Sequence, residues 1–459
     1  MKEKIYKILP NFFQNLLVSL YNIISYRNRY GGNYKKYKTQ FFLNKKLSLK
    51  ELKTIQEQEF LSFVEYVVKH SKFYKKLYRN LSLPNNISEI DKLPILTKED
   101  LRKNINEVYT LPKSKGIISK TGGTTGKSLE VIFTKDDMQK RFALLDYFRE
   151  WYGYKLGKKT AWFSGKALLT ERDIKKNRFW KTDYLYNVRY YSTFHINDKF
   201  LIHYLNNLIK FKPEYLVGFP SSIMEIAKYG IENNIKFPKN TIKAIFPTAE
   251  TVTPEIRKVL SEYFHTRVVD QYASSEGAPF IFECPQGNLH LELQSGIFEV
   301  LDEKNNPAKE GRLVITSFTT HGTPLIRYDI GDRIILSDNK QCSCGNKNPV
   351  VEKILGRIDD YIFSPETGKI NLGNISNTLK DVYGIKKFQI IQNELNKIII
   401  KIIVDKDIFD KKNKNKFIKN WRDRVGNKMK IELLEVENIE VEKSGKYRIV
   451  KNNIKHLLT

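Results

Sequence analysis

The sequence predicts an α/β protein with a large N-terminal domain, built from layered α/β sheets plus a β-rich sub-region, and a small C-terminal α+β domain. Three observations support this fold class. The chain has 459 residues, which is long enough for two or three domains. From Leu93 onward, short β-rich runs alternate with helical patterns, which is typical of layers around a largely parallel sheet. The last hundred or so residues repeat this mixture on the scale of one compact module.

The element pattern divides the chain into three regions. Residues 1–90 are predicted to be helical, are rich in Lys and Tyr, and are expected to pack on the large domain. Residues 91–356 contain short strands such as 129–133, with helical patterns between them, and closely spaced strands within 296–336. Residues 357–459 alternate strand-like runs with one long helical pattern, as expected for a separate α+β domain.

The composition is that of a globular protein with an excess of positive charge. Seventy-nine Lys and Arg against 51 Asp and Glu give a formal net charge of +28. This balance favours anionic partners, including nucleotides, anionic substrates, a membrane surface or nucleic acid, although a general surface charge explains it equally well. A zinc-containing basic nucleic-acid-binding protein is therefore an alternative of a different class. The sequence has no RRM, helix-turn-helix or basic-aromatic stripe, so no nucleic acid is expected as a partner.

The segment Asn11–Ser25 is the candidate for membrane contact. Its polar residues and the lack of a cleavage site argue against a signal peptide, and it is too short and too interrupted to span a bilayer. As a helix it would carry Phe12, Leu16 and Leu20 on one side. We favour docking of this side on the protein's own core, with peripheral contact with an anionic membrane as the alternative. Because three cysteines provide no disulfide framework, the expected location is cytoplasmic, and any peripheral contact would be at the inner face of the membrane.

The segment Ser119–Ser128, SKTGGTTGKS, is predicted to bind phosphate. Its glycines allow positive φ and close backbone approach, and its hydroxyl and lysine side chains add further donors. A Walker A loop is excluded because Thr121 stands where that motif needs glycine, and because a strand follows instead of a helix. An ordinary Ser/Thr/Gly hairpin loop would explain the glycines but not the hydroxyls beside a lysine. The candidate residues are Thr121, Gly122, Gly123, Thr124, Thr125, Gly126 and Lys127.

This loop and five later segments resemble, in order, the motifs of the phenylacetate-CoA ligase-like (CapK-type) family of adenylate-forming enzymes, within the acyl-CoA synthetase and AMP-binding superfamily. The loop is similar to the family pattern [ST]GG[ST]TGKP, with Ser128 in place of the final proline. The resemblance extends through almost the whole chain. The other segments are Thr248–Glu250 at the adenine, Gln271–Glu276 similar to YGxTE, Ile326–Asp332 similar to YRxGD, Gly356–Asp360 similar to GRxDD, and Ser444–Arg448 similar to the catalytic-lysine loop.

The resemblance implies an ATP-dependent ligase that converts a carboxylic acid to acyl-AMP, releases pyrophosphate, and transfers the acyl group to CoA or another acceptor. It also implies ATP and Mg²⁺ at the site and a mobile C-terminal lid. CapK-type members are associated with capsular or surface polysaccharide biosynthesis. Some relatives are deazaflavin-coenzyme adenylyltransferases, so transfer of AMP to a non-carboxylate acceptor is an alternative. The sequence leaves the acid, the acceptor and the oligomeric state open.

The family's residue roles carry over position by position. The predicted catalytic residues are Lys127 at the β- and γ-phosphates, Glu276 at magnesium, and Lys446 at the α-phosphate and the carboxylate. Tyr272 would stack on adenine, and Asp332 would accept hydrogen bonds from the ribose hydroxyls. The remaining predictions are Ala249, Glu250, Ser275 and Arg357 at the nucleotide, Asp359 at the hinge of the lid, and Phe219 and Ala273 at the acyl pocket.

All three cysteines and one histidine form two short clusters, Cys284-x5-His290 and Cys342-x-Cys344. Four soft ligands in two such clusters are typical of tetrahedral zinc, and some members of the resembled family bind zinc in this region. Four protein ligands leave no open coordination position, so the predicted zinc is structural. The alternative is a set of unliganded buried cysteines beside a surface histidine.

Overall fold

The computed structural model forms two compact units. The first contains residues up to Ile330 together with Ile334–Ile354, and the second contains Gly331–Arg333 and the chain from Leu355 onward. Both units mix helices and strands, which confirms the predicted α/β class. The structure describes residues 6–120, 129–166, 168–339, 342–357, 361–371, 377–379, 381–442, 447–454 and 457.

Several helices begin at residues with a strong capping preference. Ser48, Thr97 and Thr134 each pair with an acidic residue three positions later in a capping box. The α-helices are α1 (Asn11–Tyr30), α2 (Tyr34–Asn44), α3 (Leu49–His70), α4 (Lys72–Leu77), α5 (Lys98–Lys103), α6 (Ile105–Val108), α7 (Lys135–Glu150), α8 (Glu171–Lys175), α9 (Asp198–Phe211), α10 (Pro220–Glu232), α11 (Pro254–Phe264) and α12 (Lys411–Val425), and 3-10 helices lie at Ile87–Lys92, Lys113–Lys115, Leu293–Ser295 and Asn377–Leu379.

Most of the strands are short, as the sequence predicts for layered sheets. They are β1 (Ile117–Lys120), β2 (Glu130–Phe133), β3 (Thr160–Ser164), β4 (Trp180–Asp183), β5 (Val188–Ser192), β6 (Tyr215–Gly218), β7 (Ala244–Pro247), β8 (Arg267–Val268), β9 (Gln271–Tyr272), β10 (Ile281–Glu283), β11 (Leu289–Leu291), β12 (Gly296–Leu301), β13 (Glu310–Ser317), β14 (Tyr328–Leu336), β15 (Val350–Arg357), β16 (Tyr361–Ser364), β17 (Gly368–Asn371), β18 (Ile385–Glu394), β19 (Lys397–Val404), β20 (Lys430–Glu435) and β21 (Val450–Asn452).

A mainly parallel, six-stranded sheet forms the centre of the first unit. Its order is β4-β5-β3-β6-β7-β8, and every neighbouring pair except β4–β5 is parallel. On one face, Phe163, Leu216 and Ile245 are fully buried with apolar residues of α9, α10 and α11. On the other face, Val217 and Phe246 pack with residues of α2 and α7. A parallel sheet buried on both faces requires apolar strands, which is why the sequence shows continuous apolar runs here.

A second sheet contains the predicted β-rich sub-region. Its order is β12-β13-β14-β15-β11-β10-β9. The long helix α3 buries Phe60, Phe63 and Val67 against residues of β12 and β13, including Ile297 and Ile315. At one edge of this sheet, β9 pairs antiparallel with β10, and β10 pairs antiparallel with β11.

Helix α1 packs on the first unit through its polar side. Asn15, Ser19 and Asn22 are buried, whereas Phe12 is 60% exposed and Leu20 is 47% exposed. The prediction that the apolar side packs on the protein's own core was therefore wrong, because polar side chains make the contacts with the body. Among the described helices, none combines the length and the apolar content needed to cross a bilayer.

The second unit has a core of its own. Its four-stranded sheet has the order β20-β19-β18-β21, and β16 and β17 form a separate antiparallel hairpin. Helix α12 covers the sheet, with Phe417 and Trp421 fully buried among Ile390, Ile400 and Val450. This is the compact α+β arrangement expected for the C-terminal residues.

Candidate functional site

Two of the predicted site segments meet at the carboxyl edge of the parallel sheet. Strand β6 ends at Gly218 and is followed by Phe219, and the neighbouring strand β7 ends at Pro247 and is followed by Thr248. The backbone N–H of Thr248 donates a hydrogen bond to the carbonyl oxygen of Gly218 over 2.9 Å. Ligands of open parallel sheets bind at this edge, so it is the candidate site.

Gly218 sets the direction of the chain into Phe219. Its φ is +133°, and a Cβ added to it would lie 1.9 Å from the carbonyl oxygen of Phe163 on β3. A side chain is thus excluded both by the backbone conformation and by the neighbouring strand. The half-buried Phe219 follows directly at the start of α10. The predicted acyl-pocket residue therefore lies at the carboxyl edge of the sheet.

The segment after β7 is bound to the first turn of α10. The carboxylate of Glu250 accepts hydrogen bonds from the backbone N–H and the hydroxyl of Ser221, each over 3.0 Å. An anionic group is favoured at a helix N-terminus, where N–H groups lack helical partners. Ala249 is exposed and has a φ of +64°, which an L-residue adopts at some cost in energy. Glu250 thus holds α10 against the segment that presents Ala249.

The segment from Gln271 to Glu276 continues this edge. The side-chain amide of Gln271 donates to the carbonyl oxygen of Pro247 over 3.1 Å, which joins β9 to the end of β7. Tyr272 is half-buried, while Ala273 and Ser275 are exposed. Glu276 is only 3% exposed, and its Oε1 lies 3.5 Å from Nζ of Lys98. The tyrosine and the glutamate predicted at the nucleotide are thus on one short segment beside β7.

The turn after Glu276 is held by a buried arginine that sequence reasoning missed. Nη1 of Arg141, on α7, donates to the carbonyl oxygens of Gly277 and Ala278 over 2.9 and 3.1 Å, and to Oγ1 of Thr319 over 2.8 Å. The hydroxyl of Ser317 donates to the same Gly277 carbonyl over 2.7 Å. Burial lowers the pKa of Arg141 to about 10, which leaves it charged at neutral pH. A single arginine within a helix belongs to no motif, so no sequence pattern indicated this role.

The predicted phosphate loop connects two paired strands. Strands β1 and β2, which flank the predicted loop in the sequence, pair as an antiparallel hairpin with Lys120 opposite Glu130. The backbone N–H of Ile132 donates to Oγ1 of Thr323 over 2.7 Å. Thr121, Gly122, Gly123, Thr124, Thr125, Gly126 and Lys127 lie outside the residues that the structure describes.

A buried carboxylate anchors the turn that supports this hairpin. Asp137 accepts hydrogen bonds from the backbone N–H of His321 over 3.1 Å and of Gly322 over 3.3 Å, and its Oδ1 lies 2.7 Å from Nδ1 of His321. Burial alone would raise the pKa of Asp137, but the interactions with His321 and Thr134 outweigh it and hold the pKa below its usual range. Asp137 was another contributor that the sequence did not reveal.

The remaining predicted residues fall on the second unit. Asp332 lies on β14 and is buried. Arg357 ends β15, and its side chain lies outside the described part of the structure. Asp359 and Lys446 also lie outside it. Among the described residues of the first unit, the structure thus brings the segments that carry Phe219, Ala249 and Tyr272 together at one sheet edge. The roles of these residues, and those of Asp332, Arg357, Asp359 and Lys446, stay predictions.

The four predicted metal ligands come together in the first unit. Their ligand atoms all lie within 4.8 Å of one another. Cys284 Sγ is 3.7 Å from Cys342 Sγ, and Cys344 Sγ is 3.5 Å from His290 Nε2. In a zinc tetrahedron with its usual bond lengths, the S···S edge is about 3.8 Å and the S···N edge about 3.5 Å. The same S···S distance is far longer than the roughly 2.05 Å of a disulfide bond.

Neighbouring backbone groups orient these side chains for metal binding. Nδ1 of His290 lies 2.9 Å from the carbonyl oxygen of Asn348, and because that oxygen can only accept, Nδ1 carries the proton and Nε2 has a free lone pair. Burial lowers the pKa of His290, which also favours the neutral ring. The N–H of Gly345 donates to the carbonyl oxygen of Cys342 over 3.2 Å and closes a tight turn around Cys344. The residues present therefore fit a structural metal ion.

Comparison with known proteins identifies the family of this chain. Residues 362–453 match the family model of the CapK C-terminal domain. The chain is 34% identical to protein CapK of Staphylococcus aureus over 460 residues, covering 99% of this chain and 100% of that protein. It is 25% identical to phenylacetate-coenzyme A ligase of Thermus thermophilus over 354 residues, covering 69% of this chain and 72% of that protein.

Solved structures show the same fold. A 2-hydroxyisobutyryl-CoA ligase, in the postadenylation state with R3-HIB-AMP, is similar with a TM-score of 0.70 and 17% identity, covering 90% of this chain and 92% of that one. At this level of identity the likeness concerns the fold. The full-length similarity to CapK, together with the similarity to phenylacetate-coenzyme A ligase, shows that the chain belongs to the phenylacetate-CoA ligase-like (CapK-type) family of adenylate-forming enzymes and is an AMP-forming ligase.

Proposed function

We propose that the protein uses ATP to activate a carboxylic acid as its acyl-AMP, releases pyrophosphate, and transfers the acyl group to CoA or to another acceptor. The observation that carries this proposal is the joining of the segments with Phe219, Ala249 and Tyr272 at one carboxyl edge of a parallel sheet, through direct hydrogen bonds between their backbones and side chains. The Thermus thermophilus relative is a ligase of phenylacetate and coenzyme A, which supports a carboxylate substrate and CoA as an acceptor.

The proposed first step is displacement at phosphorus. A carboxylate oxygen attacks the α-phosphate, the bond from the α-phosphorus to the bridging oxygen breaks, and pyrophosphate leaves with its electron pair. Negative charge develops on the phosphate oxygens, so fixed cations and N–H donors supply most of the rate. We assign these contributions to Lys127 and Lys446, and we assign ribose binding to Asp332 and nucleotide contact to Arg357. Asp359 is proposed as the hinge of the C-terminal domain.

Glu276 is the residue of the described site that fits Mg²⁺. Its carboxylate is almost fully buried, and magnesium is bound in proteins by one or two carboxylates together with phosphate oxygens. When bound, the ion would neutralise charge on the phosphates. Arg141 and Ser317 hold the turn after Glu276 through the carbonyl oxygen of Gly277, so the carboxylate is held in place before any ligand binds.

Exchange of labelled pyrophosphate into ATP tests the proposed function. We expect exchange that depends on one class of carboxylic acid in a panel of aryl, fatty and amino acids. Glu276→Gln should lower the exchange rate on the order of 100-fold, because a charge aimed at the reacting phosphates is lost. The exposed Glu99→Gln is the matched control and should keep the wild-type rate. Exchange that needs a hydroxyl or phosphate compound and no carboxylic acid would instead favour the adenylyltransferase alternative.

We further propose that the activated acyl group serves capsular or other surface polysaccharide biosynthesis. The full-length similarity to CapK supports this assignment. The acceptor would then be a hydroxyl or amine of a sugar, either directly or after transfer to CoA. Mass spectrometry of reactions containing ATP, the preferred acid and a panel of sugar nucleotides should show an added acyl mass. Products that contain only acyl-CoA under all conditions would contradict a direct sugar acceptor.

We also propose that Cys284, His290, Cys342 and Cys344 bind one structural Zn²⁺. The distances from Cys284 Sγ to Cys342 Sγ and from Cys344 Sγ to His290 Nε2 match edges of a zinc tetrahedron, and Nε2 of His290 has a lone pair for the metal. With four protein ligands, no coordination position is left for a substrate. The ion would join the turn of the β10–β11 hairpin to the chain that precedes β15.

A further inference from the structure

Helix α1 presents an uninterrupted apolar surface to solvent. We call this surface the α1 face and define it by Phe12, Phe13, Leu16, Leu17, Leu20 and Ile24. Their exposure ranges from 40% at Leu16 to 68% at Ile24. Residues spaced by three and four positions lie on one side of a helix, so these side chains form a single stripe. Contiguous apolar stripes of this length are unusual on monomeric soluble proteins and mark interaction surfaces.

The orientation of α1 is enforced by hydrogen bonds on its other side. Oδ1 of Asn15 accepts from the backbone N–H of Thr182 over 3.1 Å, and Oγ of Ser19 accepts from the N–H of Tyr184 over 3.0 Å. Asn22 donates to the carboxylate of Asp183 over 2.6 Å. Strand β4 is at the edge of the six-stranded sheet, and these side chains satisfy its free donors. Turning the apolar stripe inward would break every one of these bonds.

The apolar surface continues from α1 onto the chain after β4. Tyr184 is 49% exposed, Leu185 is 55% exposed, and the ring of Tyr184 lies 6.2 Å from that of Phe12, measured between centroids. Aromatic residues with one apolar and one polar end are favoured at the boundary between lipid and water. The α1 face is therefore a broad surface that includes aromatic residues suited to such a boundary.

The stretch of chain that contains α1 carries only positive charges. Residues 6–50 contain no Asp or Glu and nine Lys or Arg, at positions 7, 27, 29, 35, 36, 38, 45, 46 and 50. Arg27 is exposed, and it lies on the side of the apolar stripe because it follows Ile24 by three positions. Arg172 adds a further charge beside the start of the helix, where it donates to the carbonyl oxygen of Ile8 over 3.0 Å.

We propose that the α1 face binds the surface of an anionic lipid bilayer, with α1 lying parallel to the membrane. An apolar stripe with Phe and Leu, bordered by Lys and Arg, is the composition of helices that insert one face at the lipid headgroups. Helix α1 lies along the bilayer rather than across it because its opposite side is bonded to β4. A second copy of the chain is a poorer occupant, since it would bring two acid-free, basic segments together.

Co-sedimentation of the full chain with lipid vesicles tests this proposal. We expect binding to vesicles of phosphatidylglycerol and phosphatidylcholine, and much weaker binding to phosphatidylcholine alone. The triple variant Leu17→Gln, Leu20→Gln and Ile24→Gln should lower the affinity for anionic vesicles at least about tenfold, because three apolar side chains leave the lipid phase. Its melting temperature and pyrophosphate exchange should match those of the wild type, since the three side chains face solvent.

Two controls separate the contribution of the apolar side chains from that of the positive charge. A matched triple variant at exposed apolar residues elsewhere, Ile231→Gln, Leu395→Gln and Ile408→Gln, should bind vesicles as the wild type does. Arg27→Gln should weaken binding to anionic vesicles about fivefold, whereas the exposed Lys236→Gln should not change it.

Three outcomes would overturn the proposal. Wild-type binding by the α1 triple variant would exclude the α1 face as the contact. Equal binding to neutral and anionic vesicles would exclude recognition of the anionic headgroup. A wild-type dimer in light scattering that the α1 variant converts to a monomer, without vesicle binding by either, would assign the face to self-association.

Discussion

Loss of one metal ligand should measurably destabilise the first unit. In Cys344→Ser, the sulfur 3.5 Å from Nε2 of His290 is replaced by a poor zinc ligand. These two residues are 54 positions apart, so the proposed metal would close a loop of that length. A cross-link across such a loop restricts the unfolded chain by about 4 kcal/mol. For a unit of roughly 350 residues with about 2 cal/mol/K of unfolding entropy per residue, this corresponds to a fall of about 6 °C in the melting temperature.

The measurement combines metal analysis with thermal unfolding. Purified wild-type protein should contain one zinc per chain, and Cys344→Ser should contain much less. The variant should melt at about the temperature of the wild type treated with a strong chelator. Ser343→Ala lies in the same turn and leaves all four ligands in place, so it should keep both the zinc and the wild-type melting temperature.

The reasoning would be refuted by either of two results. One is purified wild-type protein without stoichiometric zinc. The other is a Cys344→Ser variant that has the melting temperature of the wild type, with no change in that temperature when chelator is added. In the second case the cluster would not contribute to stability through a metal, and the cysteines would be ordinary unliganded thiols.

Three further predictions concern residues that support the site. Arg141→Lys should raise the KM for ATP at least about tenfold in pyrophosphate exchange, because one amine cannot donate to the three acceptors that Arg141 reaches. Asp137→Asn should lower the melting temperature at neutral pH and remove part of the acid sensitivity of the wild type, measured by unfolding at graded pH. Gly218→Ala should abolish stable folding in thermal melts, since its Cβ would lie 1.9 Å from a backbone oxygen of β3.

The sign of the Asp137 effect follows from its pKa. The pKa of Asp137 is lower in the folded protein than in the unfolded chain, so its contribution to stability is complete above about pH 4 and is lost as the pH falls through the folded value. In Asp137→Asn this titrating carboxylate is absent, so the stability of the variant should change less than that of the wild type as the pH falls below about 4. The exposed Glu262→Gln should leave the wild-type profile unchanged, and an identical profile for Asp137→Asn would contradict the assignment.

The other two predictions also have controls within the chain. Gly157 has a φ of +93° and no atom within 4 Å of an added Cβ, so Gly157→Ala tests backbone strain without the clash and should cost only about 1 kcal/mol. Equal effects at Gly157 and Gly218 would contradict the role given to the β3 contact. The exposed Lys135→Ala, on the same helix as Arg141, should leave the KM for ATP unchanged.

The sequence predicted the α/β class and the grouping of the four candidate metal ligands because both depend on local patterns. Apolar runs of four or five residues indicate buried strands, and soft ligands in two short clusters indicate a metal site wherever the chain brings the clusters together. The family resemblance also placed Ala249 and Tyr272 at the nucleotide and Phe219 at the acyl pocket. The segments that carry these residues are joined by hydrogen bonds at one sheet edge, and the roles of the three residues stay predictions.

The sequence could not predict contributions that depend only on tertiary contacts. Arg141 and Asp137 are charged residues on α7, and nothing near them in the sequence shows that they are buried and bound to distant carbonyl and N–H groups. The orientation of α1 was predicted wrongly for a related reason. Helical periodicity identifies two faces, but the free donors of β4 decide which face docks, and they require the side with Asn15 and Ser19.

The proposed metal site and the candidate site are linked through three neighbouring strands. Cys284 follows β10 and His290 lies on β11, while β10 pairs with β9 so that Ile281 is opposite Tyr272. Glu283, next to Cys284, accepts from the backbone N–H of Asp270 over 2.7 Å, just before β9. A metal that fixes the β10–β11 turn therefore also fixes the strand that carries the proposed adenine-stacking ring. Loss of the metal should accordingly raise the KM for ATP while the preference among carboxylic acids is retained, because Phe219 is positioned by β6 and not by this hairpin.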